Sequence, residues 1–264
     1  MGKIITIASG KGGVGKTTLT ANVGIALAQK NFKVLLIDAD IAMANLSLLL
    51  GMQSSPITLH DVLVGESDVE DAIYEGPAGV NFIPSGLSLE SYRRVDTERL
   101  EGVVRKVAAK YDFVLLDAPP GIEKNVMSAL AAADEVLLIT MPLSPSIADM
   151  LKTKIVSQRL GSNPIGIVVN FSTGEKGEIR NEDIMKMLEL PVYGTIPYDP
   201  EVRRSYMQQN VQPVMIRKPT TPAAIEMRKI AARIAGVKAQ EFLQGAKKHE
   251  GFLSRLLAKF RKGK

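Results

Sequence analysis

The chain of 264 residues contains no cysteine and only two histidines, His60 and His249. Disulfides are excluded, as is any thiolate-bound zinc or iron-sulfur cluster built from this chain alone, and two histidines are a poor basis for a metal site. The sequence also lacks an uncharged run of bilayer-spanning length. Its first residues, Met1-Gly2-Lys3-Ile4-Ile5-Thr6-Ile7, have neither the long apolar region nor the small-residue cleavage site of a secretory leader. The expected location is the cytoplasm. No internal repeat or low-complexity segment is present, and the Pro/Gly-rich stretch from Gln212 to Pro222 is expected to be a loop. Length and apolar content suit one substantial core, a single domain over residues 1–237.

The net charge of +5 is unevenly spread: the segment from Lys238 onward holds eight Lys/Arg and two Glu, which leaves the preceding 237 residues at −1. The basic character therefore belongs to residues 238–264, a C-terminal tail. A uniformly basic body would point to nucleic acid; a near-neutral body with a basic end points to a local attachment device.

Short apolar runs alternate with helical patterns. Ile4–Ala8, Val34–Ile37, Phe113–Leu116, Val136–Thr140, Ile165–Val169 and Val192–Ile196 read as buried strands. Thr17–Gln29, Thr97–Ala109, Lys124–Ala132, Ile147–Leu160 and Glu182–Leu188 read as helices between them. Unbroken apolar strands suit a parallel sheet covered on both faces, so the expected fold is α/β, doubly wound and mostly parallel. Its active site is expected at the carboxyl ends of the strands.

The first of those ends carries Gly10-Lys11-Gly12-Gly13-Val14-Gly15-Lys16-Thr17, which matches G-x-x-x-x-G-K-[ST] between a strand and a helix. Glycines let successive backbone N–H groups face one anion, and the helix start adds its positive end. In such a P-loop NTPase site Lys16 neutralises the β and γ phosphates and Thr17 offers its hydroxyl to magnesium. Carboxylates follow at two further strand ends, in Asp38-Ala39-Asp40 and in Asp117-Ala118-Pro119-Pro120-Gly121. Asp117 resembles the Walker B acid of P-loop NTPases, which implies that it binds magnesium directly or through its water, with Pro119–Gly121 as a segment able to rearrange when the γ phosphate leaves. For Asp40 a solvated loop acid or a helix cap is the alternative reading. No N-K-x-D guanine signature is present, which favours ATP.

Lys11-Gly12-Gly13-Val14-Gly15-Lys16-Thr17-Thr18 resembles the deviant Walker A signature K-G-G-x-G-K-[ST]-T, and with Asp38–Asn45 and Asp117–Gly121 the chain resembles the MinD/ParA family of P-loop ATPases from Met1 to about residue 235. The resemblance implies an ATPase that hydrolyses ATP with magnesium. Lys11 to Thr18 would form the nucleotide site, with Lys11 reaching the phosphates of a partner subunit in an ATP-bound homodimer. It further implies that Asp40 orients the attacking water, that Asp38 supports the magnesium-water shell beside Thr17 and Asp117, and that Asn170, Pro197 and Asp199 lie near the adenine. Ser47 and Ala42 depart from the family pattern, in which an acidic residue and a glycine are common.

The tail segment Glu250–Lys262 sets Phe252, Leu253, Leu256, Leu257 and Phe260 at helical spacing, with Arg255, Lys259 and Lys262 elsewhere around the wheel. At about 20 Å such a helix is too short to span a bilayer but suits its interface. The pattern alone serves equally for a helix that docks on the body or for a solvated end. The resemblance adds a peripheral site on the inner face of the cell membrane, with ATP cycling the protein on and off anionic lipid to position division or other machinery, together with an activating or cargo protein. A ParA-like partitioning ATPase that binds DNA nonspecifically is the alternative, and the near-neutral body argues against it. A nucleotide-dependent module that does not hydrolyse is a further one. An iron-sulfur scaffold on the same loop is contradicted by the missing cysteines.

Overall fold

A computed structural model of the protein describes residues 2–41, 43–52, 55–86, 96–207, 211–240 and 242–243. The strands are β1 (Lys3–Ala8), β2 (Val34–Asp38), β3 (Tyr74–Glu75), β4 (Asn81–Ile83), β5 (Phe113–Asp117), β6 (Glu135–Thr140), β7 (Asn163–Ser172) and β8 (Val192–Pro197). They form one sheet in the order β3-β4-β2-β5-β1-β6-β7-β8, parallel throughout except for β3 against β4. The expected doubly wound, mostly parallel sheet is borne out. Strand order reverses around β1, and the crevice opened there is where such sheets bind ligands.

Ten α-helices cover the sheet among the described residues: α1 (Lys16–Ala28), α2 (Leu46–Leu49), α3 (Leu59–Val64), α4 (Leu100–Ala108), α5 (Lys124–Ala131), α6 (Ser144–Arg159), α7 (Asn181–Leu188), α8 (Pro200–Tyr206), α9 (Val214–Arg217) and α10 (Pro222–Ala235). Strand side chains alternate between two apolar layers. Ile4 and Ala8 of β1, with Val114 and Leu116 of β5, face a layer shared with α3 to α7. Ile5 and Ile7, with Leu36 and Leu115, face a layer shared with α1, α2, α9 and α10. Both layers bury nearly every strand residue, which is why these strands read as apolar runs rather than alternating ones. A fully buried side chain such as Ile7 contributes about 1.5–3 kcal/mol through area removed from water. Truncating it to alanine costs about 2–5 kcal/mol because a cavity is added.

Helix α1 is buried nearly all round. Close packing requires Gly24, where a Cβ would stand 2.5 Å from Leu36 Cδ2. Asn22 on the same helix spends its amide on backbone. Its Nδ2 donates to Thr18 O at 2.7 Å and its Oδ1 accepts from Met215 N at 2.9 Å. The second bond anchors α9, so the stretch from Gln212 to Pro222, expected as a loop, contains a helical turn that a long-range side-chain contact holds. The short β3 and β4, with two and three residues, offered no periodicity to read.

The packed body runs past the boundary expected at 237/238. Phe242 is buried in the layer around α1 and α10, with Lys30 Nζ 5.6 Å from its ring centroid. The tail residues Phe252, Leu253, Leu256, Leu257 and Phe260 lie outside the described residues, as do Ala42 and His249. Among the described residues, no helix is long and apolar enough to cross a membrane.

Candidate nucleotide site

The loop from Ser9 to Gly15 turns β1 into α1 at the crevice. Gly13 at φ 75° and Gly15 at φ 99° hold left-handed conformations that side chains with a Cβ adopt at a cost. A Cβ on Gly13 would meet nothing within 4 Å, and one on Gly12 would touch only Pro120 at 3.9 Å, so the outer side of the loop is open. Its inner side is locked. Ser9 Oγ donates to Lys11 O at 2.7 Å, and Asn170 Nδ2, from the end of β7, donates to Val14 O at 2.8 Å. Asn170 is buried, and its amide lies where a Cβ on Gly15 would intrude at 2.4 Å.

A cleft of about 1190 Å³ lies over the loop. Gly12, Gly13, Gly15, Lys16, Thr17, Thr18, Asp40, Pro119 and Pro120 all line it, so the sequence-predicted loop, Asp40 and the Pro-Pro segment converge. Lys16 is almost fully buried, and desolvation lowers its pKa, opposed by the charges of Asp117 and Asp40.

Asp38 and Asp117 pair in register on adjacent strands and are both buried. Burial raises Asp117 to about 6, opposed by the hydroxyl of Thr17, the cation of Lys16 and the hydroxyl of Thr20, whose Oγ1 donates at 3.3 Å. Burial and then the neighbouring Asp117 push Asp38 well above the usual carboxylate range. Asp38 meets this with backbone donors: Oδ1 accepts from Asp40 N at 3.2 Å, and Oδ2 from Asn45 N at 3.1 Å and Leu46 N at 3.0 Å. Its carboxylate thus holds the turn that carries Asp40 and the start of α2. Asp40 Oδ1 in turn accepts from Met43 N at 3.0 Å. Two buried carboxylates against one lysine suit a divalent cation at Thr17, because its charge relieves their repulsion.

Other expected residues sit elsewhere. Lys11 points away from the cleft, its Nζ 3.3 Å from Asp149 of α6, which packs so closely that a Cβ on Gly10 would fall 2.5 Å from the Asp149 carbonyl carbon. Val14 is buried and offers the loop only its backbone. Pro197 ends β8, and Asp199 caps two helices, accepting from Glu201 N at 2.9 Å and from Ala223 N at 3.3 Å. Sequence reasoning missed Asp149, Phe171 and Tyr206. Phe171 and Tyr206 line the cleft, and the Tyr206 hydroxyl hydrogen-bonds Thr18 Oγ1. No motif marks any of the three; tertiary packing alone brings them to the loop.

Two family patterns match the chain, one described as an AAA domain over residues 2–152 and one as an NUBPL iron-transfer P-loop NTPase over residues 95–235. An uncharacterised ATP-binding protein of Methanocaldococcus jannaschii is 44% identical over 253 residues, 96% of this chain and 94% of that protein. The cell division ATPase MinD of Pyrococcus furiosus superposes with a TM-score of 0.86 at 38% identity, covering 89% of this chain and 99% of that one. The chain belongs to the MinD/ParA family of P-loop ATPases. A second family member of known structure, the septum site-determining protein MinD of Pyrococcus horikoshii complexed with Mg-ADP, has a TM-score of 0.85 at 36% identity, over 89% and 96% of the two chains. Of the matched patterns, the iron-transfer description finds no thiolate in this member of the MinD/ParA family, which has no cysteine.

Proposed function

We propose that the protein is a magnesium-dependent ATPase whose ATP-bound form is a homodimer and whose tail attaches that dimer to an anionic membrane. The observation that carries the dimer is Lys11. A lysine inside the phosphate loop that turns away from its own cleft onto Asp149 has no phosphate of its own to neutralise, and a second subunit supplies one.

Within one subunit the residues divide the work. Backbone N–H groups of Gly12 to Thr18 receive the phosphates, and Lys16 contributes an ammonium whose attraction to a phosphate is stronger in the low dielectric around it than in water. Thr17, together with Asp117, would hold magnesium, which would supply charge neutralisation at the transferring phosphate. Asp38 fixes the turn of Asp40, so that Asp40 can orient a water at the γ phosphate. Pro119-Pro120-Gly121 is tied to the loop by Gly121 N donating to Ser9 O at 3.1 Å, a bond through which loss of phosphate reaches this segment.

The tail supplies the membrane step. Each Lys or Arg near anionic lipid adds about 1 kcal/mol, and a single short helix binds weakly, so pairing two tails in the dimer raises attachment by avidity. An activating or cargo protein then reads the dimer. Lipid co-sedimentation of the full chain with anionic vesicles tests this in ATP plus magnesium, in ADP and without nucleotide. ATP-selective pelleting that is lost in a chain ending at Gly245 is expected. Equal recovery in all three states, or undiminished ATP-dependent pelleting without the tail, refutes the membrane cycle.

A further inference from the structure

His60, on the short helix α3, is 1% exposed and is not among the residues that line the cleft. The start of its helix is fixed by Asp61, whose Oδ2 accepts from both Thr58 N and Thr58 Oγ1 at 2.7 Å. Leu59 N donates to Pro84 O at 2.8 Å, and His60 Nδ1 accepts from Gly86 N at 2.6 Å, so α3 is tied to the chain leaving β4. The ring packs so closely there that a Cβ on Gly86 would stand 2.3 Å from Nδ1. A neutral imidazole whose Nδ1 accepts carries its proton on Nε2, which makes Nε2 a donor.

That donor is unused. Nε2 is buried and has no hydrogen-bond partner. An unpaired interior donor is costly enough that folded proteins keep few of them, and those they keep call for a reason. The backbone beside the ring is that of Ile41: burial lowers the pKa of His60, and Asp61 and then the Ile41 carbonyl oppose this. Ile41 directly follows Asp40, and its side chain is buried in one apolar layer with Leu59, Val62 and Leu63 of α3. Because β2 and β4 are neighbours, with Ile37 opposite Ile83, one ring reaches the chain leaving each strand. Nδ1 takes Gly86 after β4, and Nε2 is left for Ile41 after β2.

We propose that His60 is a positioning residue for Asp40: its Nε2–H takes the Ile41 carbonyl as acceptor when the turn is set for hydrolysis, so that Asp40 is held from α3 as well as by Asp38. This inference rests on the ATPase reading above and adds to it a residue that touches neither nucleotide nor magnesium. One bond can matter because the turn is tight. Asp40 N donates to Asp38 Oδ1 at 3.2 Å and Ile41 N to Ala39 O at 3.0 Å, so a shift of the Ile41 carbonyl is also a shift of Asp40. A group that must orient a water loses rate steeply when it is misplaced by about 1 Å.

The test is steady-state ATP hydrolysis by the full chain with magnesium, with kcat and KM separated, in two variants that each keep the role of one ring nitrogen. His60→Asn keeps a carbonyl to accept from Gly86 but has no atom at the Nε2 position. His60→Gln is longer, carries an amide N–H to that position and gives up the Gly86 acceptor. Both are assayed at a temperature where circular dichroism shows the fold intact. In His60→Asn, kcat is expected to fall about tenfold while KM for ATP stays within about twofold, since the phosphate loop is untouched. In His60→Gln, kcat is expected to stay near wild type although the melting temperature drops. A histidine that only supports the fold gives the opposite order, with turnover following the melting temperature. Wild-type kcat in His60→Asn overturns the inference, as does an equal fall of kcat in His60→Gln. Wild-type protein without magnesium-dependent turnover overturns the ATPase reading itself, and this inference with it.

Discussion

Asn170→Ala isolates the bond that locks the phosphate loop from below. Asn170 is 6% exposed, and its Nδ2 lies 2.8 Å from Val14 O, on a residue that is itself 1% exposed. Removing the amide deletes a buried hydrogen bond and leaves a carbonyl without its partner where water does not readily reach. Together these cost about 2–3 kcal/mol. For a domain of this size that corresponds to a fall of about 5–10 °C in melting temperature. The loop then loses its fixed shape, and every ligand that binds through phosphates suffers alike. Calorimetric titration with ATP and with tripolyphosphate is expected to show both weakened by about tenfold, the signature of lost preorganisation. A melting temperature and both affinities equal to wild type would refute the reasoning. A loss confined to ATP would also refute it, since it would make Asn170 a base contact rather than a clamp on the loop.

Lys11→Ala removes only a half-exposed ion pair with Asp149, worth about 0–1 kcal/mol, so the fold should keep its melting temperature while ATP-dependent dimerisation and turnover are lost. Sedimentation velocity with ATP and magnesium checks this. Asp40→Ala is expected to bind ATP and persist as a dimer without releasing phosphate; unchanged turnover in that variant removes Asp40 from the mechanism. His60 gives a pH dependence. It is buried, its Nδ1 accepts from Gly86 N at 2.6 Å, and burial lowers its pKa below 6.5, against the opposing effects of Asp61 and the Ile41 backbone. Because the folded value is the lower one, the contribution is full above the unfolded value near 6.5 and is lost as pH falls from there through the folded value. The drop in melting temperature between pH 7 and pH 5 is expected to shrink in His60→Asn, whose side-chain carbonyl can still accept from Gly86; an equal drop in both proteins would exclude His60.

Much of this molecule is legible in one dimension because its signals are local. The phosphate loop is a contiguous run whose glycines and lysine are dictated by backbone geometry and phosphate charge, and it lies between β1 and α1 as that motif requires. The six longer strands read correctly because both faces of the sheet are covered, which leaves unbroken apolar runs. Asp38, Asp40 and Asp117 could be assigned to one crevice because parallel strands bring their carboxyl ends to the same side. Beyond that the sequence is silent wherever a role depends on a partner far along the chain. Asp149 meets Lys11 only because Gly10 lets α6 approach the loop, and Tyr206 meets Thr18 only because α8 packs on α9, which Asn22 anchors to α1. Asn170 shows the same limit. Its residue type and place at a strand end suit a ligand contact, yet its amide is committed to Val14 O across 156 positions of sequence. Periodicity and motif spacing carry local preference and burial; which long-range polar groups satisfy one another is fixed only when the sheet and helices close and every buried donor must find its acceptor.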